Sequence, residues 1–321
     1  MNNQLRHIDE LATFSRERIE KGSKSFALAA RLFPPHTRDS AYMLYAWCRH
    51  CDDVVDDQEL GFNNPSSRLS PVSDLAERVE DLKRKTREAC RQNASEPVFQ
   101  ALALVCARHA IPERHPLDLI AGFQMDADGR RYETIEDTLE YCYHVAGVVG
   151  VMMALVIGVK ERRVLEHAAD LGMAFQLTNI ARDIVADHAT GRIYLPAAWL
   201  RRAGLDHKTM ALPKNREALA SVAEQVLDAA EPYYQSAEIG VRHLPLRSAW
   251  AITTAATVYR DIGLAVRRQG AAAWDHRVST SKAQKLGGVA RGLSSAIAAQ
   301  ARPLQAAPDP ARDGLWTKPD L

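Results

Sequence analysis

Residues 175–187 read Phe175-Gln176-Leu177-Thr178-Asn179-Ile180-Ala181-Arg182-Asp183-Ile184-Val185-Ala186-Asp187. On a helix turning about 100° per residue, Gln176, Asn179, Asp183 and Asp187 fall at roughly 0°, 300°, 340° and 20°. They make one polar stripe on a run that is otherwise mostly apolar. A polar stripe on a buried helix is costly unless partners satisfy it.

A second stripe lies upstream, in the run from Tyr45 to Asp57. By the same angles, Tyr45, Arg49, Asp52 and Asp56 fall at roughly 0°, 40°, 340° and 20°. Their neighbours Met43, Leu44, Ala46, Trp47, Val54 and Val55 are apolar or aromatic. Each stripe ends in Asp-x-x-x-Asp, and carboxylates one turn apart can share a divalent cation. The chemistry that fits is a diphosphate held by Mg²⁺ between two facing helices. Mg²⁺ takes hard oxygen ligands, favouring a few carboxylates together with substrate phosphate oxygens. Bound metal also makes diphosphate a better leaving group. Arg49 and Arg182 are placed to touch phosphate oxygens. An apolar cavity beside the metals would suit a long hydrocarbon tail and keep water from a carbocation.

Outward from these two runs the patterning is helical, with no convincing alternating strand. The expected helices cover 9–31, 38–57, 74–91 (with Asp74 as N-cap), 97–110, a segment begun near Pro116, 135–159, 165–187, 215–242 and 248–269. Residues 61–73 and 191–196 read as loops. No linker divides the chain and no repeat is visible. The expectation is one all-α domain over 1–300, with a loose, proline-bearing tail over 301–321.

The chain has 321 residues, with 41 Lys+Arg against 40 Asp+Glu, a balance that argues against nucleic acid as a partner. Hydrophobic residues at 46% and charged residues at 25% fit a globular protein, not a disordered one. Five scattered cysteines suit a reducing compartment. The first residues carry neither a signal-peptide core nor an import leader, so a bacterial-type cytoplasmic location is expected. The apolar run 145–159 is shorter than the ~20 residues of a membrane span and reads as a central helix. Peripheral membrane contact is the secondary expectation. Cys48-x-x-Cys51 lacks the second pair a zinc site needs, and the acidic run lacks the Gly and Glu of a calcium loop. Asp126 reads equally as a helix-end cap or a site residue.

At these residues the sequence resembles the head-to-head prenyl synthases, the squalene and phytoene synthase family. The two aspartate motifs match Tyr45–Asp56 and Gln176–Asp187. Ser23-Lys24-Ser25-Phe26 is similar to the family's diphosphate-contacting flap, and Tyr141–Gly147 to its pocket-lining central helix. Gly191-Arg192-Ile193-Tyr194-Leu195-Pro196 follows the second motif as in the phytoene branch, which the run Arg277–Lys282 also favours. The resemblance implies an all-α isoprenoid-synthase fold around a central apolar cavity. It implies condensation of two geranylgeranyl diphosphates through prephytoene diphosphate, with C30 synthesis from farnesyl diphosphate as the alternative. It implies Mg²⁺, replaceable by Mn²⁺, and an ending that needs no NADPH. Asp52, Asp56, Asp183 and Asp187 would hold metal, with Asp53 and Asn179 as helpers. Ser23, Lys24, Arg49, Gln176, Asn179, Arg182, Tyr194 and Arg277 would contact diphosphate. Tyr45, Arg49, Tyr141 and Tyr259 would border the reacting centre. The oligomeric state is left open.

Overall fold

A computed structural model describes residues 2–56, 58–59, 62–63, 72–301 and 312–318. Thirteen α-helices carry the described chain: α1 Asn2–Gly22, α2 Lys24–Ala30, α3 Pro35–Asp56, α4 Val72–Cys90, α5 Pro97–His109, α6 Arg114–Ala127, α7 Ile135–Cys142, α8 Val148–Ile157, α9 Arg162–Ala189, α10 Ala197–Arg202, α11 Arg216–Gly240, α12 Leu246–Gln269 and α13 Lys282–Gln300. A single antiparallel pair, Gln58–Glu59 with Phe62–Asn63, is the only sheet among the described residues. The expected all-α architecture is therefore observed. Asp57 and most of the 61–73 loop lie outside the described residues.

Local chemistry explains the boundaries. The helix expected over 9–31 is two helices, because Ser23 takes an extended conformation and its hydroxyl accepts from the Phe26 amide at 3.3 Å. That N-cap starts α2 afresh. Thr134 and Asp137 form a reciprocal capping box at the start of α7. Pro97 sits in the first turn of α5, where its missing N–H costs nothing. α4 begins two residues before Asp74, the expected cap.

α9 is the axis of the fold and packs against α8, α11 and α12. The expected continuous helix over 135–159 is interrupted by a π-helical turn, Tyr143–Gly147, between α7 and α8. The inserted residue changes the phase of the helix. Gly147 and Gly150 then face the backbone of α9, while Val145 and Ala146 face a cavity. Such π turns concentrate at functional sites. The segment Ile135–Ile157 is apolar enough to cross a membrane by length and composition, yet 56% of its apolar window is buried inside the protein. It is a core element, as its glycines suggested.

The expected loose tail needs correction over 312–318. Lys318 pairs with Asp118 at 2.8 Å, Arg312 with Asp170 at 3.4 Å, and the Trp316 amide donates to the Tyr233 hydroxyl at 3.1 Å. Leu315 and Trp316 pack on the main core. The remaining tail residues, 302–311 and 319–321, lie outside the described residues.

Candidate active site

The last turns of α3 place Tyr45, Arg49 and Asp52 on the wall of a cavity of about 380 Å³. Trp47 and Cys51, on other faces of the same helix, are fully buried and fix its rotation. Arg49 donates to Asp52 at 2.5 Å. Asp56, one turn on, is held at 2.5 Å by Arg192, from the loop after α9. Asp53 does not join them. It is buried and turned toward Arg18 of α1, 3.9 Å away. Asp53, expected as a metal helper, lies about 100° around the helix from Asp52 and faces α1.

α9 supplies the facing stripe. Gln176 and Asn179 line the same cavity, and the Asn179 amide donates to Gln176 at 3.3 Å. The buried Asn179 carbonyl oxygen has no hydrogen-bond partner. Asp183 is paired by its neighbour Arg182 and by Arg277 at 3.3 Å. Arg182 and Arg277 thus reach the stripe through Asp183. Arg192 is the residue that the spacing of the two motifs does not reveal. It pairs with Asp56, and its positive charge also acts on Asp52, Asp126 and Asp187. It ties the two stripes together electrostatically.

Aromatic rings close the sides. Tyr141 and Tyr194 stack with centroids 4.5 Å apart, and each donates its phenol to Asp126 at 3.0 Å. Asp126 thereby does more than end α6: it anchors two stacked rings, one of which, Tyr141, lines the cavity. Tyr194, expected to contact diphosphate, donates its hydroxyl to Asp126. On the other side Phe175 stacks on Tyr259 at 4.2 Å, and Phe26 on Tyr259 at 5.3 Å. Tyr45 lies 6.3 Å from Phe26. Phe26 and Phe175, which lie within the motifs but carried no expected role, are part of the ring wall. The Ser23 hydroxyl is occupied as the cap of α2. Lys24 is exposed beside Lys285, whose ammonium is lowered by burial and then by the Lys24 charge.

The electrostatics show what the site lacks. Asp52 opens into the cavity yet lies deep in the protein. Burial, then the Asp56 charge, push its carboxyl up to about 7. Burial and then the Asp183 charge push Asp187 up to about 7 as well. Asp126 is raised to about 6, by burial first, with Arg192 and the two phenols opposing. Asp183 goes the other way: burial raises it, but Arg182 and Arg277 together bring it below the ordinary range. A donor set made of oxygen, with buried carboxylates that resist ionisation and an unpartnered buried carbonyl, fits a hard divalent cation. Among the described residues no three His, Cys, Asp or Glu side chains are grouped closely enough to hold one unaided. Substrate oxygens would complete the shell.

A pH prediction follows. The folded pKa of Asp52 and Asp187, about 7, exceeds the unfolded value of about 3.9. The folded state then binds more protons than the unfolded state across that window, so these two groups make stability fall as pH rises from about 4 to about 7. A cation needs the deprotonated carboxylates. The rise in melting temperature on adding Mg²⁺ should therefore be larger at about pH 8 than at about pH 6. An increment independent of pH would count against these carboxylates as ligands.

From the polar end the cavity extends along α9, past Phe175, Gly172, Leu171 and Ala168, to His167 and Val164. Its walls are overwhelmingly apolar. A carboxylate mouth on a hydrocarbon cavity suits a diphosphate with a long apolar tail.

Comparison with known proteins agrees. The squalene/phytoene synthase family model matches residues 19–284. The 15-cis-phytoene synthase of Enterobacter agglomerans is 50% identical over 94% of this chain and all of its own length. That of Paracoccus sp. is 47% identical over 97% of this chain and 99% of its own. Among solved structures, a dehydrosqualene synthase in complex with ligand superposes with a TM-score of 0.80 at 27% identity, covering 91% of this chain and 99% of that one. With two aspartate stripes on facing helices, an apolar cavity between them, and a match across most of its length, the chain belongs to the squalene/phytoene synthase family.

Proposed function

We propose that this chain is a phytoene synthase that joins two molecules of geranylgeranyl diphosphate head to head. The observation that carries the reading is the pair of aspartate-ended stripes whose Tyr45, Arg49, Asp52, Gln176 and Asn179 line one end of a long apolar cavity, in a chain about half identical to 15-cis-phytoene synthases. The first diphosphate leaves, and its C1 forms a bond to the C2=C3 double bond of the second molecule. Loss of a proton gives prephytoene diphosphate. The second diphosphate then leaves, the cation rearranges, and loss of another proton gives phytoene. No hydride enters this balance, so no NADPH is expected.

Asp52, Asp56, Asp183 and Asp187, with Asn179, would hold Mg²⁺, which supplies charge neutralisation for the departing diphosphates. Arg49, Arg182, Arg192 and Arg277 are already paired with those aspartates. Their guanidinium groups can turn to phosphate oxygens when metal takes the carboxylates. Lys24 and Gln176 are further diphosphate contacts in this reading. The rings of Phe26, Phe175, Tyr45 and Tyr259 present faces that stabilise a passing cation. Asp126 fixes the Tyr141 and Tyr194 phenols, so that wall does not reorganise during reaction. Among the described residues no His lines the polar end of the cavity, and released diphosphate is the natural base. The product is an oil, which suits a cytoplasmic enzyme working at a membrane surface.

The dehydrosqualene synthase likeness favours the second reading, a C30 product from farnesyl diphosphate. Both substrates offered together in one tube decide between them. The proposal expects C40 hydrocarbon to dominate; a C30 product in excess would replace it.

A further inference from the structure

One turn short of Val164, the last α9 residue on the hydrocarbon cavity, a polar residue lines the wall. His167 of α9 is 1% exposed and lines the cavity among apolar neighbours. Its Nδ1 lies 2.8 Å from the Ser236 hydroxyl of α11. Ser236 donates to Asp170, so its oxygen accepts from the Nδ1–H of the ring. Asp170 in turn is paired with Arg312 from the C-terminal segment, at 3.4 Å. Gly240 presses on the other side: any Cβ there would collide with the Cβ of His167. A leucine in this place could swing aside into another rotamer. This ring is held by a fully buried chain of hydrogen bonds and a backbone wall.

Distance makes the position meaningful. Asn179 marks the polar end, and His167 is twelve residues before it on α9, about 18 Å along the axis. An extended carbon chain advances like an extended backbone, roughly 1.2 Å per bond, so tails of three, four and five isoprene units reach about 14, 19 and 24 Å. A four-unit tail reaches the level of His167. A three-unit tail stops short of it, and a five-unit tail would need to pass it.

We propose that His167, fixed by Ser236 and Gly240, is the end wall that sets the upper length of the prenyl tail this cavity accepts. The inference rests on the reading of the chain as a prenyl diphosphate synthase using the C20 substrate. It assigns Ser236, Asp170 and Arg312 as positioning residues that act through the ring.

The test measures turnover of C15, C20 and C25 prenyl diphosphates, in competition, by the purified wild-type and His167→Ala proteins with Mg²⁺. The wild type should use C20 and reject C25. In His167→Ala the ratio of C25 to C20 turnover should rise at least about tenfold, the effect of roughly 1.4 kcal/mol of relieved steric cost. His167→Asn keeps a donor toward Ser236 but is shorter, and serves if the alanine variant does not melt cooperatively; it should shift the ratio in the same direction. Gly240→Ala, which forces the ring inward, should move preference toward C15. A folded His167 variant with the wild-type ratio overturns the end wall while leaving C40 synthesis intact. A wild type that makes no C40 product overturns the proposed function itself, a result visible before any variant is examined.

Discussion

Asp52→Asn should lower kcat by about 10³-fold, the scale seen when one preorganised electrostatic contact to a reacting group is removed. The carboxylate faces the cavity and has no structural duty that Asn would fail to meet. Its pKa, raised to about 7 even beside Arg49, says that ionising it works against the fold at neutral pH. The variant should therefore melt at the same temperature or higher at about pH 8 without metal, and should lose most of the Mg²⁺-induced rise. The neighbouring Asp53→Asn provides the contrast. Asp53 is buried against α1 near Arg18, so its loss should cost stability of about 1–3 kcal/mol, with kcat changed less than tenfold. Steady-state kinetics and thermal melts on both variants separate the roles. Equal loss of rate in the two would show that the α3 stripe is not read correctly.

Gly172→Ala should be among the most damaging small substitutions. At Gly172, a Cβ would collide with the Ala146 carbonyl oxygen and come within 2.8 Å of the Gly147 Cα, backbone atoms that no rotamer can move. The π turn and α9 would have to separate. Overpacking against rigid backbone costs about 3 kcal/mol or more, a large part of a domain's net stability. The same contact positions Val145 and Ala146 on the cavity wall, so activity should fall with it. Gly287→Ala in α13 meets only the flexible end of Arg291 at 3.4 Å. It should gain up to about 1 kcal/mol from better helix propensity. Denaturant unfolding of the two variants checks both signs. A Gly172→Ala protein as stable as wild type would contradict the close packing of these elements.

α3 and α9 were legible because each sets a narrow polar stripe against apolar neighbours, and a 3.6-residue period exposes that directly. The break at Ser23 was not, since an N-cap serine inside an amphipathic run leaves the periodicity almost intact. The π turn at Tyr143–Gly147 is invisible for a similar reason: one residue of phase shift in a uniformly apolar segment leaves no trace in composition. α13 is rich in Ala, Gly and Ser, so its pattern carries little contrast. Arg192 and the tail contacts of Arg312, Trp316 and Lys318 depend on partners far away in the chain. Asp53 is a mixed case. Its angle already placed it off the stripe, proximity to Asp52 and Asp56 suggested a helper role, and its contact with Arg18 on α1 depends on a residue far away in the chain. Asp126 could be read two ways in the sequence and is decided only by the two phenols that meet on it.

The central claim is that paired aspartate stripes at the head of an apolar cavity carry out metal-assisted head-to-head coupling without a reductant. The most direct measurement incubates the purified protein with geranylgeranyl diphosphate and Mg²⁺, without NADPH, and identifies the hydrocarbon by mass while counting released diphosphate. The account predicts phytoene, a C40 hydrocarbon, with two diphosphates released for each molecule formed. A folded, Mg²⁺-supplied protein that releases no diphosphate and forms no C40 hydrocarbon would contradict it.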